Sequence, residues 1–456
     1  MIVPVVLGAA LSVICLAMLA SPWPFVAPFV VLGVAGLALL NRRPAWGLLG
    51  IVALVPFEGL SKDSGFSAAK LLGASLILLL VIKVLMRQLP PGLLRSNLWR
   101  PLGFFLLCLF LNLLYSEYLM VSLDALRELA IGMVLFPVAL LVGRQANLLM
   151  LCRLISISVA ITCLIALYSS KYQVGGRAIG LLEDANYFAL LIAVAVPPAI
   201  LLALRAPYWP LRFFWIGVVL VLMSGMTKTD SRSGLLVVLF TCMICAWHHR
   251  VALQRLRPKH LGFVMLAAAL IIPVGIMVMP ADYIARIASL SSLKSGATSE
   301  DASLGRRASY VLVGGDMIRE KPLLGSGLGT FPIHYAQTGY AAAFSMGLNE
   351  PDLFRRAHDT YLELFSELGI PAGLLFVTLI IMGLRNFQQA SAAWLARGNR
   401  PAADLAMHLG LSFLALAVFL VFLSAANHKY LWVLLGLSSV LRQQAEALVE
   451  PAEAKP

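Results

Sequence analysis

Long apolar runs separated by short polar connectors make up most of the chain. The fourteen runs lie near residues 2–20, 24–41, 46–58, 67–86, 101–115, 127–143, 147–168, 187–204, 211–226, 233–248, 260–279, 361–384, 405–424 and 428–441. A helix needs about 20 apolar residues to cross the hydrocarbon core of a bilayer. Backbone groups in lipid must be satisfied within their own segment, which favours helices over strands. Because the third, fifth and last runs are short, the pattern predicts an all-α, polytopic transmembrane helical bundle of about 12–14 helices.

One long polar stretch, residues 280–360, interrupts this pattern. Within it Tyr310, Val313 and Met317 recur at helical spacing, which predicts a helix over residues 301–321. We therefore expect one large, partly helical loop outside the membrane. The predicted divisions of the chain are N-terminal transmembrane helices over 1–168, a core with the polar loop over 169–384, and C-terminal transmembrane helices with a cytoplasmic tail over 385–456.

Charge indicates how the helices are oriented. The 456 residues are 60% hydrophobic and only 12% charged, whereas an average soluble domain is about 25% charged. Lys and Arg concentrate in alternate connectors, which the positive-inside rule assigns to the cytoplasm together with both termini. These connectors are 41–43, 87–100, 144–153, 205–212, 250–259 and 385–400. Most of the 22 acidic residues then face outward, the long loop is periplasmic, and the net charge of +13 reflects topology and not nucleic-acid binding.

The six cysteines lie in or beside apolar runs, so the sequence predicts no disulfide framework. Cys242-x-x-Cys245 has the spacing of a redox or metal-binding pair, but inside a membrane helix we interpret both residues as small packing side chains. We expect neither a metal site nor a cofactor. The first apolar run has no basic segment before it, as a cleaved leader would, so we interpret it as a membrane helix.

Two outer connectors carry candidate substrate-binding residues. In the first, the glycines beside Arg177 would let the backbone approach a ligand closely, and Asp184 or Asn186 is placed to cap the next helix. Two interpretations stay open there: a turn with a helix cap, or an anion contact by Arg177. In the second connector, Asp230 and Ser231 are placed to cap a helix, and Arg232 either anchors a lipid headgroup or binds substrate.

The long polar stretch adds Arg306 and Tyr310 on its predicted helix, followed by three alternating glycines. Gly325-x-Gly327-x-Gly329 suggests a dinucleotide-binding loop, but no strand precedes it and the stretch faces outward. We therefore predict a tight turn.

His358 lies at the start of the next membrane helix. The helix dipole favours a neutral imidazole there, and the neutral form is the one able to accept a proton. Asp359, Glu363 and Glu367 follow at intervals of four and form a stripe of carboxylates, which is costly in lipid without partners. His358 is either an interfacial anchor or a general base, and the stripe and the nearby arginines favour the base.

Over residues 170–385 the sequence resembles the bacterial O-antigen ligase and O-antigen polymerase family. The residues that carry the resemblance are Arg177 with Asn186, Ser231-Arg232-Ser233-Gly234, Arg306 with Tyr310, the glycine-rich segment 322–329, and His358 to Ala372. The last segment is similar to the ligase pattern of His, Asn/Ser/Gln, nine residues, Gly, two residues and Gly/Thr/Tyr. Asp359 and Ala372 depart from that pattern, whereas His358 and Gly369 match it.

The resemblance implies about a dozen membrane helices, a large periplasmic loop and a place in the bacterial inner membrane. It also implies transfer of a glycan from an undecaprenyl-pyrophosphate carrier to an acceptor sugar hydroxyl on a glycan or on the lipid A core. In this interpretation His358 is the general base and Arg306 stabilises the leaving pyrophosphate. The expected substrate-binding residues are Arg177, Asn186, Arg232, Tyr310 and Asp359.

The residue types fit this chemistry independently of the family. Guanidinium groups pair with phosphate through two donors, which explains arginine in place of lysine. The chain has no Asp-x-Asp, the acidic pair that many glycosyltransferases use for a divalent ion, so we infer metal-independent, inverting transfer.

A repeat-unit polymerase of the same superfamily is the first alternative. A polysaccharide transporter or flippase is the second, but we find no internal repeat and the polar residues gather at one face.

Overall fold

The structure is a computed structural model that describes residues 26–61, 68–182, 184–250, 302–344 and 353–447. The helices up to the long polar stretch are α1 (Val26–Arg42), α2 (Ala45–Leu54), α3 (Ala68–Leu85), α4 (Trp99–Tyr115), α5 (Leu119–Met133), α6 (Leu135–Val142), α7 (Leu148–Tyr168), α8 (Ala185–Arg205), α9 (Trp209–Lys228) and α10 (Arg232–His248). The later helices are α11 (Ala302–Glu320), α12 (Phe331–Ala336), α13 (Gly339–Ala343), α14 (Thr360–Ala396), α15 (Arg400–Phe419) and α16 (Lys429–Ala447). Short 3-10 helices occupy Val55–Ser61, Pro91–Leu94 and Ser170–Tyr172, and two strands, β1 (Gln173–Val174) and β2 (Arg177–Ala178), form a hairpin.

The prediction of an all-α, polytopic helical protein is confirmed. Six helices in the described ranges are long and apolar enough to cross a membrane: Leu119–Val142, Leu148–Tyr168, Ala185–Arg205, Trp209–Lys228, Thr360–Ala396 and Arg400–Phe419. Shorter apolar helices lie at Val30–Arg42, Ala45–Leu60, Trp99–Tyr115 and Arg232–His248. Two predicted runs, 2–20 and 260–279, lie outside the described residues, and each of the others overlaps a helix. The number of membrane crossings and the division of the chain stay predictions.

One predicted connector is wrong. Residues 385–400 were expected to form a basic cytoplasmic loop, but α14 continues through most of them and ends at Ala396. The helix ends there because Gly398 takes a left-handed backbone conformation, with φ 72°. The connector to α15 is therefore only a few residues long.

Two helices form the centre of the bundle. Helix α8 packs against α7, α9, α10 and α15, and most of its side chains are buried. Helix α14 packs against α4, α11, α15 and α16. Because α14 contacts both α11 and the C-terminal helices, its first residues lie where the long polar segment meets the membrane helices.

Helix α14 is kinked at Gly369, where φ is 83°. The turn over residues 322–330 locks into this kink, since the N–H of Ile370 donates to the carbonyl of Pro322 (2.8 Å) and the N–H of Gly327 donates to the carbonyl of Glu367 (2.9 Å). A Cβ atom on Gly369 would lie 2.4 Å from the carbonyl oxygen of Leu323. Only glycine fits at this contact.

The alternating glycines form the tight turn that the sequence predicts. Gly325, Gly327 and Gly329 all have positive φ, at 70°, 120° and 78°. The carboxylate of Glu367 accepts the backbone N–H groups of Gly329 (2.8 Å) and Phe331 (3.0 Å). One member of the predicted carboxylate stripe is thus partnered by backbone donors and holds this turn against α14.

Candidate active site

His358 stands between the long polar segment and α14. Its backbone has φ 50°, a left-handed conformation that is uncommon outside glycine. Asp359 then caps α14, since its carboxylate accepts the N–H groups of Tyr361 (2.9 Å) and Leu362 (3.1 Å). The left-handed residue and the cap together turn the chain sharply into the helix and leave the imidazole half-buried at its start.

Glu363 fixes the segment that carries His358. Its carboxylate receives Arg356 through two N–H groups (2.7 and 3.2 Å), the backbone N–H of Ala357 (3.0 Å) and the hydroxyl of Ser424 (2.6 Å). The Glu363 side chain is only 5% exposed, whereas Arg356 is 51% exposed. A buried carboxylate with this many donors is fully satisfied, and it holds the backbone immediately before His358.

Thr360 ties the same segment to the end of α15. Its backbone N–H donates to the carbonyl of Leu420 (2.8 Å), its hydroxyl donates to the carbonyl of Leu423 (2.6 Å), and the hydroxyl oxygen accepts the N–H of Ala425 (2.9 Å). The segment that carries His358 is therefore fixed by the first turn of α14 and by the chain that follows α15.

The ring of Tyr310 packs beside the imidazole of His358. The two ring centroids are 6.1 Å apart and the planes are inclined by 31°. Behind Tyr310 lie Phe331 and Tyr335, at 6.3 and 5.0 Å, and the Tyr335 hydroxyl is 3.1 Å from that of Ser309. Tyr310 is only 3% exposed, so its first role is to position the imidazole. Its predicted contact with substrate stays a prediction.

Burial favours the neutral imidazole of His358, whereas the surrounding charges act in both directions. Burial lowers the pKa of His358 below its ordinary value of 6.5, and the cations of Arg307 and Arg356 act in the same direction. The carboxylates of Asp184 and Glu363 oppose them and raise the pKa. Since burial prevails, His358 is neutral near pH 7 and able to accept a proton.

Arg177 and Asn186 are brought together as a polar network at the start of α8. The Arg177 Nε–H donates to the carbonyl of Thr229 (2.9 Å), and its Nη2 donates to the side-chain oxygen of Asn186 (3.3 Å). The same oxygen accepts the Ser231 hydroxyl (3.1 Å). Asp184, two residues before Asn186, is the carboxylate that acts on His358, so this network lies on the same side of the protein as the imidazole.

The local geometry explains the sequence pattern of both outer connectors. Gly175 and Gly176, with φ 57° and 79°, form the two-residue turn between β1 and β2 that presents Arg177. Asp184 caps α8 and Ser231 caps α10, as predicted. The turn and the helix caps are therefore both present, and an anion contact by Arg177 stays a prediction.

Two adjoining cavities lie near this site, and the smaller of them contacts the Arg356–Glu363 pair. The smaller, about 150 Å³, is lined by Ala125, Glu128, Leu129, Leu328, Gly329, Pro332, Arg356, Thr360, Glu363, Leu364, Glu367, Ala426 and Asn427. The larger, about 580 Å³, is lined by Val55, Glu58, Lys70, Asp124, Arg127, Glu128, Ile131, Leu182, Tyr187, Leu191, Asn427, His428 and Lys429. Because Glu128 and Asn427 line both, the two cavities are neighbours, and the smaller one offers a ligand room beside Arg356 and Thr360.

Only some of the site residues predicted from the sequence contact His358. Tyr310 contacts His358 directly, and Asp359 serves as the helix cap, so its binding role stays a prediction. Arg306 lies on α11 one turn before Tyr310, and Arg232 is the first residue of α10, next to the Arg177 network. The assignment of catalytic and binding roles to these residues is a prediction.

Sequence reasoning missed two arginines that act on His358. It selected Arg306, whereas Arg307 and Arg356 are the cations that influence the imidazole. A signal for Arg356 was present, since it stands two residues before His358 and seven before Glu363. Nothing in the sequence distinguished Arg307 from its neighbour, because both lie on the same helical turn.

Comparison with known proteins gives one match. Residues 216–377 match a protein-family model described as O-antigen ligase. The match begins in α9, includes the glycine turn and His358, and ends in α14, so it covers less than half of the chain. No curated protein matches the chain.

Proposed function

From the premise that this multi-pass membrane protein carries a domain of the O-antigen ligase and polymerase family, we propose that it is a glycosyltransferase acting on a lipid-linked donor. The donor is a glycan on an undecaprenyl-pyrophosphate carrier, and the acceptor is a sugar hydroxyl of a glycan or of the lipid A core. The reaction takes place at the periplasmic face of the bacterial inner membrane.

The observation that carries this proposal is the setting of His358. The imidazole is half-buried, kept neutral by burial, and held against Tyr310 by a segment that Glu363 and Thr360 fix in place. A positioned neutral histidine is the usual general base for a hydroxyl nucleophile. A histidine that only anchored a helix at the lipid interface would need none of this support.

His358 would take the proton of the acceptor hydroxyl as its oxygen attacks the anomeric carbon. The bond from that carbon to the carrier's pyrophosphate breaks, and the pyrophosphate leaves with the electron pair. Such proton transfer contributes about 10²–10⁴-fold in rate. The carboxylate of Asp184 then stabilises the imidazolium that forms, because an opposite charge favours the protonated state. Attack opposite the leaving group inverts the anomeric centre.

Arginine side chains surround this step from two directions. Arg306 and Arg307 lie on α11, and Arg177 lies on the hairpin next to Asn186. Each positioned cation that meets the charge developing on the pyrophosphate stabilises the transition state by about 3 kcal/mol. Arginine suits this role because its planar fork binds phosphate through two donors at once. With these cations the transfer needs no divalent ion at the pyrophosphate.

A repeat-unit polymerase would use the same donor and the same base. The two activities differ only in the acceptor, and the family match supports both. We favour the ligase because His358 and Gly369 keep the spacing of the ligase pattern. Gly369 also has the positive φ of a helix kink, which explains why that position of the pattern is a glycine.

Reconstitution of the full chain tests the proposal. The protein in lipid nanodiscs is given undecaprenyl-pyrophosphate-linked glycan together with either lipid A core or a second carrier-linked glycan. We expect the glycan on lipid A core as the main product, with the same initial rate after chelation whether or not Mg²⁺ or Mn²⁺ is added back. Longer carrier-linked chains would assign the polymerase instead. Carrier-linked glycan that crosses the bilayer without any new glycosidic bond would overturn the transferase.

A further inference from the structure

A second cluster of reactive side chains joins the end of α10 to the first half of α15. Cys245 and His248 lie in the last turns of α10, and His249 follows directly. Asp404 and His408 stand one turn apart on α15, so both present their side chains on one face of the helix. This cluster is separate from the His358 segment, and the proposed glycan transfer makes no use of it.

The spacing of the cluster fits a tetrahedral metal ion. Cys245 Sγ lies 3.5 Å from His408 Nε2. Cys245, His249 and His408 each offer one ligand atom, and these three atoms lie within 4.8 Å of one another. Around a zinc ion with Zn–N and Zn–S bonds of about 2.0 and 2.3 Å, neighbouring ligand atoms are separated by about 3.3–3.6 Å. The Cys245–His408 distance already fits, and a small rotation of His249 would complete the set.

The orientation of His408 also fits a metal ligand. Its Nδ1 lies 2.7 Å from the backbone carbonyl of Asp404. Because a carbonyl oxygen only accepts, the proton is on Nδ1 and the lone pair is on Nε2, the atom that faces Cys245. A backbone carbonyl that holds the distant ring nitrogen in this way is the usual outer support of a metal-bound histidine.

His249 supplies an independent observation. Its Nε2 atom is buried and has no hydrogen-bond partner within the part of the chain that the structure describes. Buried polar atoms without a partner are rare in folded proteins. His249 also has a ring atom within 4.8 Å of ligand atoms of both His248 and Asp404, and the His248 Nε2 and Asp404 Oδ1 atoms are hydrogen-bonded at 3.0 Å.

We propose that Cys245, His249 and His408 bind a zinc ion that fastens α10 to α15. Asp404 belongs to the neighbouring group with His248 and His249, so Cys245, His249 and His408 leave the fourth position of a tetrahedral ion to a water molecule. One thiolate and two imidazoles favour zinc or a similarly soft ion over Mg²⁺ or Ca²⁺, which prefer oxygen ligands. Binding releases the thiol proton of Cys245 to solvent, since the thiolate is the ligand.

Because its ligands come from two helices, the ion would link them, and the free energy of metal binding would stabilise their contact. The ion would hold the end of α10 against α15 on the side that the charge pattern assigns to the cytoplasm, immediately before residues 251–300 begin. This differs from the expectation of no metal site, which the sequence analysis reached by weighing Cys245 only with Cys242. The actual partners of Cys245 lie on another helix.

Metal titration of the full chain, purified in detergent without a histidine tag and stripped by a chelator, tests the site. Co²⁺ serves as a coloured substitute for zinc. We expect one ion per chain, with an absorption band from cobalt–thiolate charge transfer, and X-ray absorption of the zinc form should count one sulfur ligand. Cys245→Ser should abolish the band, and His408→Ala should weaken binding by more than the 10–100-fold that loss of an outer-shell partner costs.

Cys242→Ser is the matched control, because it removes a thiol one turn earlier on the same helix and outside the set. It should change neither the band nor the affinity. The absence of stoichiometric metal in the wild-type chain, or a bound ion without a sulfur ligand, would overturn the proposal. Both measurements use the wild-type protein, so the test does not depend on any variant folding, and glycan-transfer activity is not its readout.

Discussion

The ring of Tyr310 lies against the imidazole of His358, with centroids 6.1 Å apart, although 48 positions separate the two residues in the chain. This contact joins helix α11 of the long polar segment to the start of α14. It gives His358 an apolar neighbour on one side, which contributes to the burial that lowers its pKa. The chemistry proposed for His358 therefore depends on how α11 packs, and the following predictions use that dependence.

The pH dependence of transfer should report a base with a lowered pKa. If His358 must be neutral to accept the proton, kcat/KM rises with pH at the acid end and becomes constant above the pKa of His358. Because burial places that pKa below 6.5, the inflection should lie below pH 6.5. Initial rates between pH 4.5 and 8 measure it. An inflection well above pH 6.5 would contradict a buried neutral base.

Two variants should move this inflection in opposite directions. Asp184→Asn removes the carboxylate that raises the pKa of His358, so the inflection should move to lower pH, and asparagine preserves the helix cap. Arg307→Gln removes a cation that lowers the pKa, so the inflection should move to higher pH. The same inflection pH in the wild type and in both variants would show that His358 is not the titrating group.

Arg306→Ala should lower both carrier binding and turnover, because a phosphate contact exists before and during transfer. We expect a loss of about 10²-fold in rate, corresponding to about 3 kcal/mol. Arg306→Lys should keep only part of the binding and turnover that Arg306→Ala loses, since the point charge of lysine lacks the two-donor fork of arginine. Arg319→Ala is the control on the same helix, where the side chain is 84% exposed and pairs with Asp316. Equal losses for Arg306→Ala and Arg319→Ala would refute a specific role.

Gly369→Ala should destabilise the protein severely. Alanine would need a left-handed conformation, which costs about 1–2 kcal/mol, and its Cβ would lie 2.4 Å from the Leu323 carbonyl. Gly315→Ala is the matched control, because Gly315 lies in α11 with open space around its Cβ position. That change should stabilise by about 0.4–1 kcal/mol. Thermal unfolding in detergent compares them, and equal Tm values would contradict the interlocked turn.

Membrane topology is checked by labelling single added cysteines from outside intact cells. Leu323→Cys, at a side chain that is 71% exposed, should react with an impermeant maleimide. Gln88→Cys, exposed in a connector assigned to the cytoplasm, should react only after the membrane is permeabilised. The wild-type chain measures the background from native thiols. The reverse pattern would place the His358 segment on the wrong side for a periplasmic reaction.

Features set by local chemistry were predictable from the sequence. The apolar periodicity located most of the described apolar helices, although α14 continues well beyond its predicted end, and the spacing of Tyr310, Val313 and Met317 located α11. Asp184 and Ser231 cap their helices because short polar side chains satisfy free N–H groups at helix starts. The glycine triplet formed a tight turn for the same local reason, since only glycine adopts positive φ without cost.

Features set by contacts between distant segments were not predictable. No local signal shows that the glycine turn would lock into the kink at Gly369, or that Ser424 would bind Glu363 from another helix. The carboxylate stripe illustrates the difference. Its spacing was visible, but its members have separate tasks: Asp359 caps a helix, Glu363 binds Arg356, and Glu367 holds the glycine turn.

The most direct test of the account is the turnover of a His358→Asn enzyme, because asparagine tolerates the left-handed backbone at this position. Carrier-lipid binding should change little, since the base touches the acceptor and not the pyrophosphate, while transfer per folded molecule should fall by about 10²-fold or more. His334→Asn, in the same polar segment beside Tyr118, is the control and should keep wild-type turnover. A His358→Asn enzyme within about threefold of wild type, against the hundredfold loss expected for a missing base, would contradict the account.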